Sequence, residues 1–207
     1  VSFCDTRFPG HLLLPPRPIN TDDAQSPASA PQVIGSLGSF IYAGFGTAVH
    51  RWNNSAWGTS VLTLSAAATD IITVRLPNES AVYTDWIVIC NNANTYYSSD
   101  GTTWLTDTTD NQYMTIWDGR LWGIDSTGQM RSIQTLDSAT VANNSWQTHK
   151  PMTIPSGSVT DLLTGKDATG TEDVIYACSR FGAYAYDLDN ARWVTTQLQL
   201  PDVVGAG

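Results

Sequence analysis

Long charged side chains are nearly missing from this sequence of 207 residues: Glu79 and Glu172 are the only glutamates, and Lys150 and Lys166 the only lysines. Both types are good helix formers, so their scarcity argues against a helical protein. Positive charge is short overall, with 10 Lys and Arg against 19 Asp and Glu, a net charge of -9 and a pI near 4.4. Such a surface repels phosphate backbones, and nucleic acid is not an expected partner. No apolar run approaches the roughly 18 residues of a spanning helix, so membrane insertion is not expected either. Cysteine is limited to Cys4, Cys90 and Cys178. An odd number without CxxC spacing is neither a disulfide framework nor a thiolate metal site, and free thiols are expected. His11, His50 and His149 lack the paired spacing of a metal centre. Phosphate-binding, dinucleotide-binding and nucleophile-elbow motifs are missing too, so neither metal nor cofactor is expected.

What the sequence does have is 26 threonines, 16 glycines, 8 tryptophans and 8 tyrosines. Threonine and the aromatics favour strands, glycine favours the turns between them, and the fold class predicted is all-β. A turn followed by tryptophan recurs four times: NNSAW ending at Trp57, SSDGTTW at Trp104, NNSW at Trp146 and DNARW at Trp193. The anchors lie 47, 42 and 47 residues apart, within the period of about 40 to 50 residues expected of propeller blades. Upstream of each lies an apolar strand, centred on Ile41, Ile87, Trp122 and Ile175. Each unit therefore reads as four antiparallel strands with a tight turn before the last. A single unit cannot bury both of its faces, so the units are expected to stack around an axis with the tryptophans packed between them.

SSDGTTW, with Asp100 and Gly101 at its centre, resembles the Asp-box of sialidase-like and related β-propellers, one residue short between Asp and Gly. The resemblance implies a structural hairpin at the blade periphery and no catalytic role for Trp57, Trp104, Trp146, Trp193, Asp100 or Gly101. The expected architecture is a β-propeller of about four blades, near 33–66, 67–110, 111–153 and 154–201, possessing four antiparallel strands each. Residues 1–32 hold six of the ten prolines and are expected to form an extended arm. The fourth unit already has its own outer strand, so the arm is not needed to complete it. The chain, which begins at Val1, is expected to be the first part of a larger propeller whose remaining blades come from missing downstream sequence or from another polypeptide. A closed four-bladed ring would instead pack Phe40 and Ile41 on Ile175 and Tyr184.

Function is less legible. A glycosidase needs two placed carboxylates, and a sialidase also needs clustered arginines and a tyrosine nucleophile. Glu172 sits in a polar turn, KDATGTEDV, and no Phe/Tyr-Arg-Ile-Pro start is present. The expectation is a protein without enzymatic activity: a scaffold or binding module whose partners are other protein chains, met through the arm and the outer blade faces. The Pro-rich arm followed by propeller repeats is similar to structural proteins of tailed-phage tails, which implies a virion or extracellular setting and a structural or receptor-binding task. The alternative is a secreted lectin or sialidase-like glycosidase, with Trp52, Tyr96 and Tyr97 stacking on a cell-surface glycan.

Overall fold

The structure, a computed structural model, describes residues 30–53, 56–137, 145–149, 159–167, 170, 172–179, 182–187 and 192–195. Nearly all of the Pro-rich arm lies outside the described residues. Alternating apolar side chains and short glycine-bearing turns give sixteen strands among the described residues, with no helix. They form four antiparallel sheets, each a simple meander of four strands. Blade 1 comprises Val33–Leu37 (β1), Phe40–Phe45 (β2), Ala48–Trp52 (β3) and Trp57–Thr63 (β4). Blade 2 comprises Asp70–Pro77 (β5), Tyr83–Cys90 (β6), Thr95–Ser98 (β7) and Leu105–Asp107 (β8). Blade 3 comprises Tyr113–Trp117 (β9), Arg120–Ile124 (β10), Met130–Ile133 (β11) and Gln147–Thr148 (β12). Blade 4 comprises Val159–Lys166 (β13), Asp173–Ser179 (β14), Gly182–Asp187 (β15) and Arg192–Thr195 (β16). The protein is an all-β propeller assembly of four blades.

The hairpins follow turn chemistry. Between β9 and β10, Asp118 and Gly119 both take positive φ, 48° and 66°. That is the conformation a two-residue primed turn demands, and Asp-Gly suits it.

Three apolar layers lie between successive blades. Tyr42, Val49, Ile87 and Ile89 join blades 1 and 2. Val74, Trp86, Val88, Met114 and Leu121 join blades 2 and 3. Trp122, Ile124, Leu162, Ile175 and Tyr186 join blades 3 and 4. A strand covered on both faces should read as a continuous apolar run. WIVIC of β6, in the middle of the stack, is buried at every position from Trp86 to Cys90.

Each blade thus has a leading face, turned to the blade before it, and a trailing face, turned to the blade after it. In the second strands the leading positions are Ile41, Ile87, Leu121 and Ile175, and the trailing positions that follow are Tyr42, Val88, Trp122 and Tyr176. The sequence alignment that put Trp122 beside Ile41, Ile87 and Ile175 is therefore one residue out. Side chains alternate across a strand, so a shift of one exchanges the faces, and Trp122 packs on blade 4 instead of blade 2.

The innermost strands pack in series, β1 on β5, β5 on β9 and β9 on β13. No comparable packing joins β13 to β1 among the described residues. Ile175 is covered by blade 3, so it is not the residue that would meet Ile41 on closure.

Candidate functional site

The repeated tryptophans come first, because their turns position them. Trp57 opens β4, Trp104 and Trp146 directly precede β8 and β12, and Trp193 lies in β16, its side chain outside the described residues. Trp57, Trp104 and Trp146 are all half-buried. Trp104 meets Tyr42 of blade 1 edge-on, ring centroids 6.3 Å apart. Trp146 donates its Nε1 proton to the Tyr97 hydroxyl of blade 2 at 2.7 Å. In both cases a tryptophan on a leading face reaches a tyrosine on the trailing face of the blade before it. Trp57 instead packs within its own blade, edge-on to Trp52 at 5.4 Å and to Phe45 at 5.3 Å.

The turn before Trp104 is held by Asp100, whose Oδ1 accepts the backbone N–H groups of Thr102 at 2.8 Å and Thr103 at 2.7 Å. These donors hold the exposed carboxyl well below the usual range. Gly101 donates its N–H to Ser98 Oγ at 2.8 Å and takes φ +70°. The Tyr42 ring from blade 1 lies directly over it. The turns before Trp146 and Trp193 lie outside the described residues.

Two of the three aromatics expected to stack on a sugar are not available to do so. Tyr97 is 0% exposed and Tyr96 4%. They are consecutive in β7 and point to opposite faces, and blade 2 has a neighbour on both sides. Tyr97 bridges blades 2 and 3 by accepting from Trp146, and donates to Asp107 Oδ2 of its own blade at 3.1 Å. The Tyr96 hydroxyl lies at the rim and donates to Ser65 Oγ at 3.2 Å. Only Trp52 keeps part of its surface.

The remaining polar chemistry is committed to local partners. Arg51 covers the Phe40 ring at 4.6 Å, Arg120 donates to Gln147 at 2.9 Å, and Arg131 pairs with Asp110 at 2.9 Å and Asp125 at 3.0 Å. These guanidinium groups lie on different blades or different partners and do not converge. His50 Nδ1 lies 2.8 Å from the Gly58 carbonyl, and His149 stacks on Trp122. Among the described residues no group of three His, Cys, Asp or Glu side chains is placed to hold a metal ion.

Asp70 is shifted the other way from Asp100. It lies between blades 2 and 3, where its carboxylate accepts the N–H groups of Ile71 and Met114, both at 2.7 Å. Burial outweighs those bonds and pushes its pKa up to about 6. A folded value above the unfolded one means that the fold takes up the proton first. Acidification from about pH 6 to pH 4 therefore favours folding by up to about 3 kcal/mol, and that gain is lost as pH rises through about 6. The expected result is a melting temperature that rises between pH 7 and pH 5, with the rise removed in Asp70→Asn. Asp100 acts in the opposite sense and at lower pH: its contribution is present above pH 4 and falls away as the carboxylate is protonated.

What remains as a candidate site is the leading face of blade 1. In the second strands the leading positions are covered wherever a preceding blade exists: Ile87 and Leu121 are 0% exposed and Ile175 1%. Ile41, in the same position of blade 1, is 41% exposed, and Ile34 on the neighbouring strand is 50% exposed. Trp52 and Trp57 lie on the same face. The sequence could not single out this face, because Ile41 and Ile87 stand in similar strand patterns.

The sequence matches no protein-family model and no curated protein. Among solved structures, the chain is similar to the extracellular domain of a B. thetaiotaomicron protein assigned as a one-component system. The TM-score is 0.53 at 10% identity, over 81% of this chain and 22% of that one. It is also similar to a chain of the mitotic checkpoint complex, with a TM-score of 0.50 at 12% identity, over 84% of this chain and 56% of that one. A third likeness is to PorZ, a bacterial surface component of the type-IX secretion system of Porphyromonas gingivalis, at a TM-score of 0.38 and 11% identity, over 80% of this chain and 28% of that one. The chain spans between about a fifth and just over half of the length of these structures. At these identities the first two likenesses bear on the fold alone.

Proposed function

We propose that this protein is a non-catalytic β-propeller scaffold that works by docking other protein chains at the exterior of a virion or cell, as a structural or receptor-binding component of the tailed-phage-tail kind. The observation that carries the docking part is the uncovered apolar leading face of blade 1, where Ile34 and Ile41 are exposed beside two tryptophans. Exposed apolar patches of this kind mark interaction surfaces. The exterior setting rests on composition, a chain poor in charge and rich in threonine and tryptophan, and on the resemblance of SSDGTTW to Asp-box propellers. The lectin or glycosidase reading retains one half-exposed aromatic, Trp52, and no gathered arginine set among the described residues.

A panel of fluorogenic glycosides, sialosides included, should show no turnover by the purified protein, and a glycan array should show no binding. Turnover or a specific glycan hit would replace the scaffold reading with the alternative. Immunogold labelling of intact particles and cells should find the protein on the outside. Label confined to the cell interior would contradict the exterior setting.

A further inference from the structure

Among the described residues, no blade is joined to the leading face of blade 1 or to the trailing face of blade 4, and the two faces match in position. On the trailing face of blade 4, Leu163 is 37% exposed and Tyr176 and Cys178 are half-buried. Val88 and Cys90, their counterparts of Tyr176 and Cys178 in blade 2, are fully covered by blade 3. Tyr176 also holds the position of Tyr42, the tyrosine that receives Trp104. Trp57, the leading-face tryptophan of blade 1, packs on Trp52 and Phe45 of its own blade and meets no such tyrosine among the described residues.

The innermost strands repeat the match. Ser36, Thr73, Ile116 and Thr164 are equivalent, each paired with the leading position of its second strand. The Thr73 hydroxyl donates to the Ser36 carbonyl of blade 1, and the Thr164 hydroxyl donates to the Ile116 carbonyl of blade 3 at 2.8 Å. At two of the three described interfaces, blades 1–2 and 3–4, a hydroxyl on one blade thus reaches the carbonyl at the same position in the blade before it; blade 3 has Ile116 there and makes no such bond. Ser36 is an exposed hydroxyl in this series, and the Thr164 carbonyl stands at the matching place on blade 4.

We propose that the leading face of blade 1 docks the trailing face of blade 4 of a second copy of this chain, and that two copies related by a two-fold axis close a ring of eight blades. The proposal rests on the docking reading above and names the occupant. In the ring Trp57 meets the second copy's Tyr176, and the Ser36 hydroxyl donates to its Thr164 carbonyl. A head-to-tail contact either closes or polymerises. Propellers typically have about four to eight blades, so two copies of four close at the upper end of that range, and three would exceed it.

Sedimentation equilibrium at low micromolar concentration should give twice the monomer mass of 22.4 kDa. Ile41→Glu and Leu163→Glu, each on an exposed position at one end, should separately give folded monomers by circular dichroism. An equimolar mixture should recover a dimer, because one of its two contacts then joins two unaltered faces. In a Cys4→Ser background, Cys178 should react with a thiol reagent at least ten times more slowly in the dimer than in the Ile41→Glu monomer. Monomeric wild-type protein, or dimers indifferent to both substitutions, would overturn the second-copy assignment. A monomer inactive on glycosides and glycans leaves the docking reading in place, whereas glycoside turnover removes that reading whatever the mass.

Discussion

Gly101→Ala lowers stability by about 3 kcal/mol or more, seen as a drop of about 10 °C in melting temperature for a chain of this size. Two costs combine. Gly101 has φ +70°, a backbone conformation in which a side chain costs about 1 kcal/mol. A Cβ placed there would also lie 1.7 Å from the Tyr42 hydroxyl and 2.5 Å from Cζ of the ring. The ring cannot withdraw freely, because Tyr42 is fully buried and wedged against Trp104. Gly119→Ala is the control that separates the two costs: φ is +66° there and no atom lies within 4 Å of the added Cβ. It should lose only the backbone part, about 1 kcal/mol. Equal losses at Gly101 and Gly119 in thermal melts would mean that the Tyr42 contact between blades contributes nothing. Tyr42→Phe gives a further check, since the buried hydroxyl has no hydrogen-bond partner. Its removal should leave stability unchanged or raise it.

The second large effect comes from making one substitution at equivalent positions. Ile87→Ala removes a side chain that is 0% exposed between blades 1 and 2 and should cost about 2 to 5 kcal/mol. Ile41→Ala, at the same place in blade 1, should stay within about 0.5 kcal/mol in the monomer, as exposed positions do. Chemical denaturation of both variants in the monomeric Leu163→Glu background compares the fold without the contact between copies. A loss at Ile41 as large as at Ile87 would show that the leading face of blade 1 is covered within a single chain, and would close the face on which the scaffold reading depends.

Much of the architecture is legible in the sequence. Turn residues followed by tryptophan mark the fourth strand of each blade because an Asx-stabilised turn and a large apolar anchor are what that corner of an antiparallel sheet requires. The near absence of glutamate and lysine, with abundant threonine and aromatics, excluded a helical fold for the same local reasons. Asp100 and Gly101 were also identified from the turn itself, since their bonds run to residues two or three positions away.

Which way each side chain faces, and what covers it, was decided only in three dimensions. The strand pattern places Trp122 one residue out, and nothing local to Tyr96 and Tyr97 shows that adjacent blades bury both. Alternation says that neighbours in a strand face opposite ways, but it does not say which face is covered. Ile41 and Ile87 carry the same local pattern, and so do Cys90 and Cys178. They differ in exposure because blade 2 has a blade on either side, while blades 1 and 4 each present a face to which no described blade is joined. Burial belongs to the stacking of blades, which no single repeat encodes.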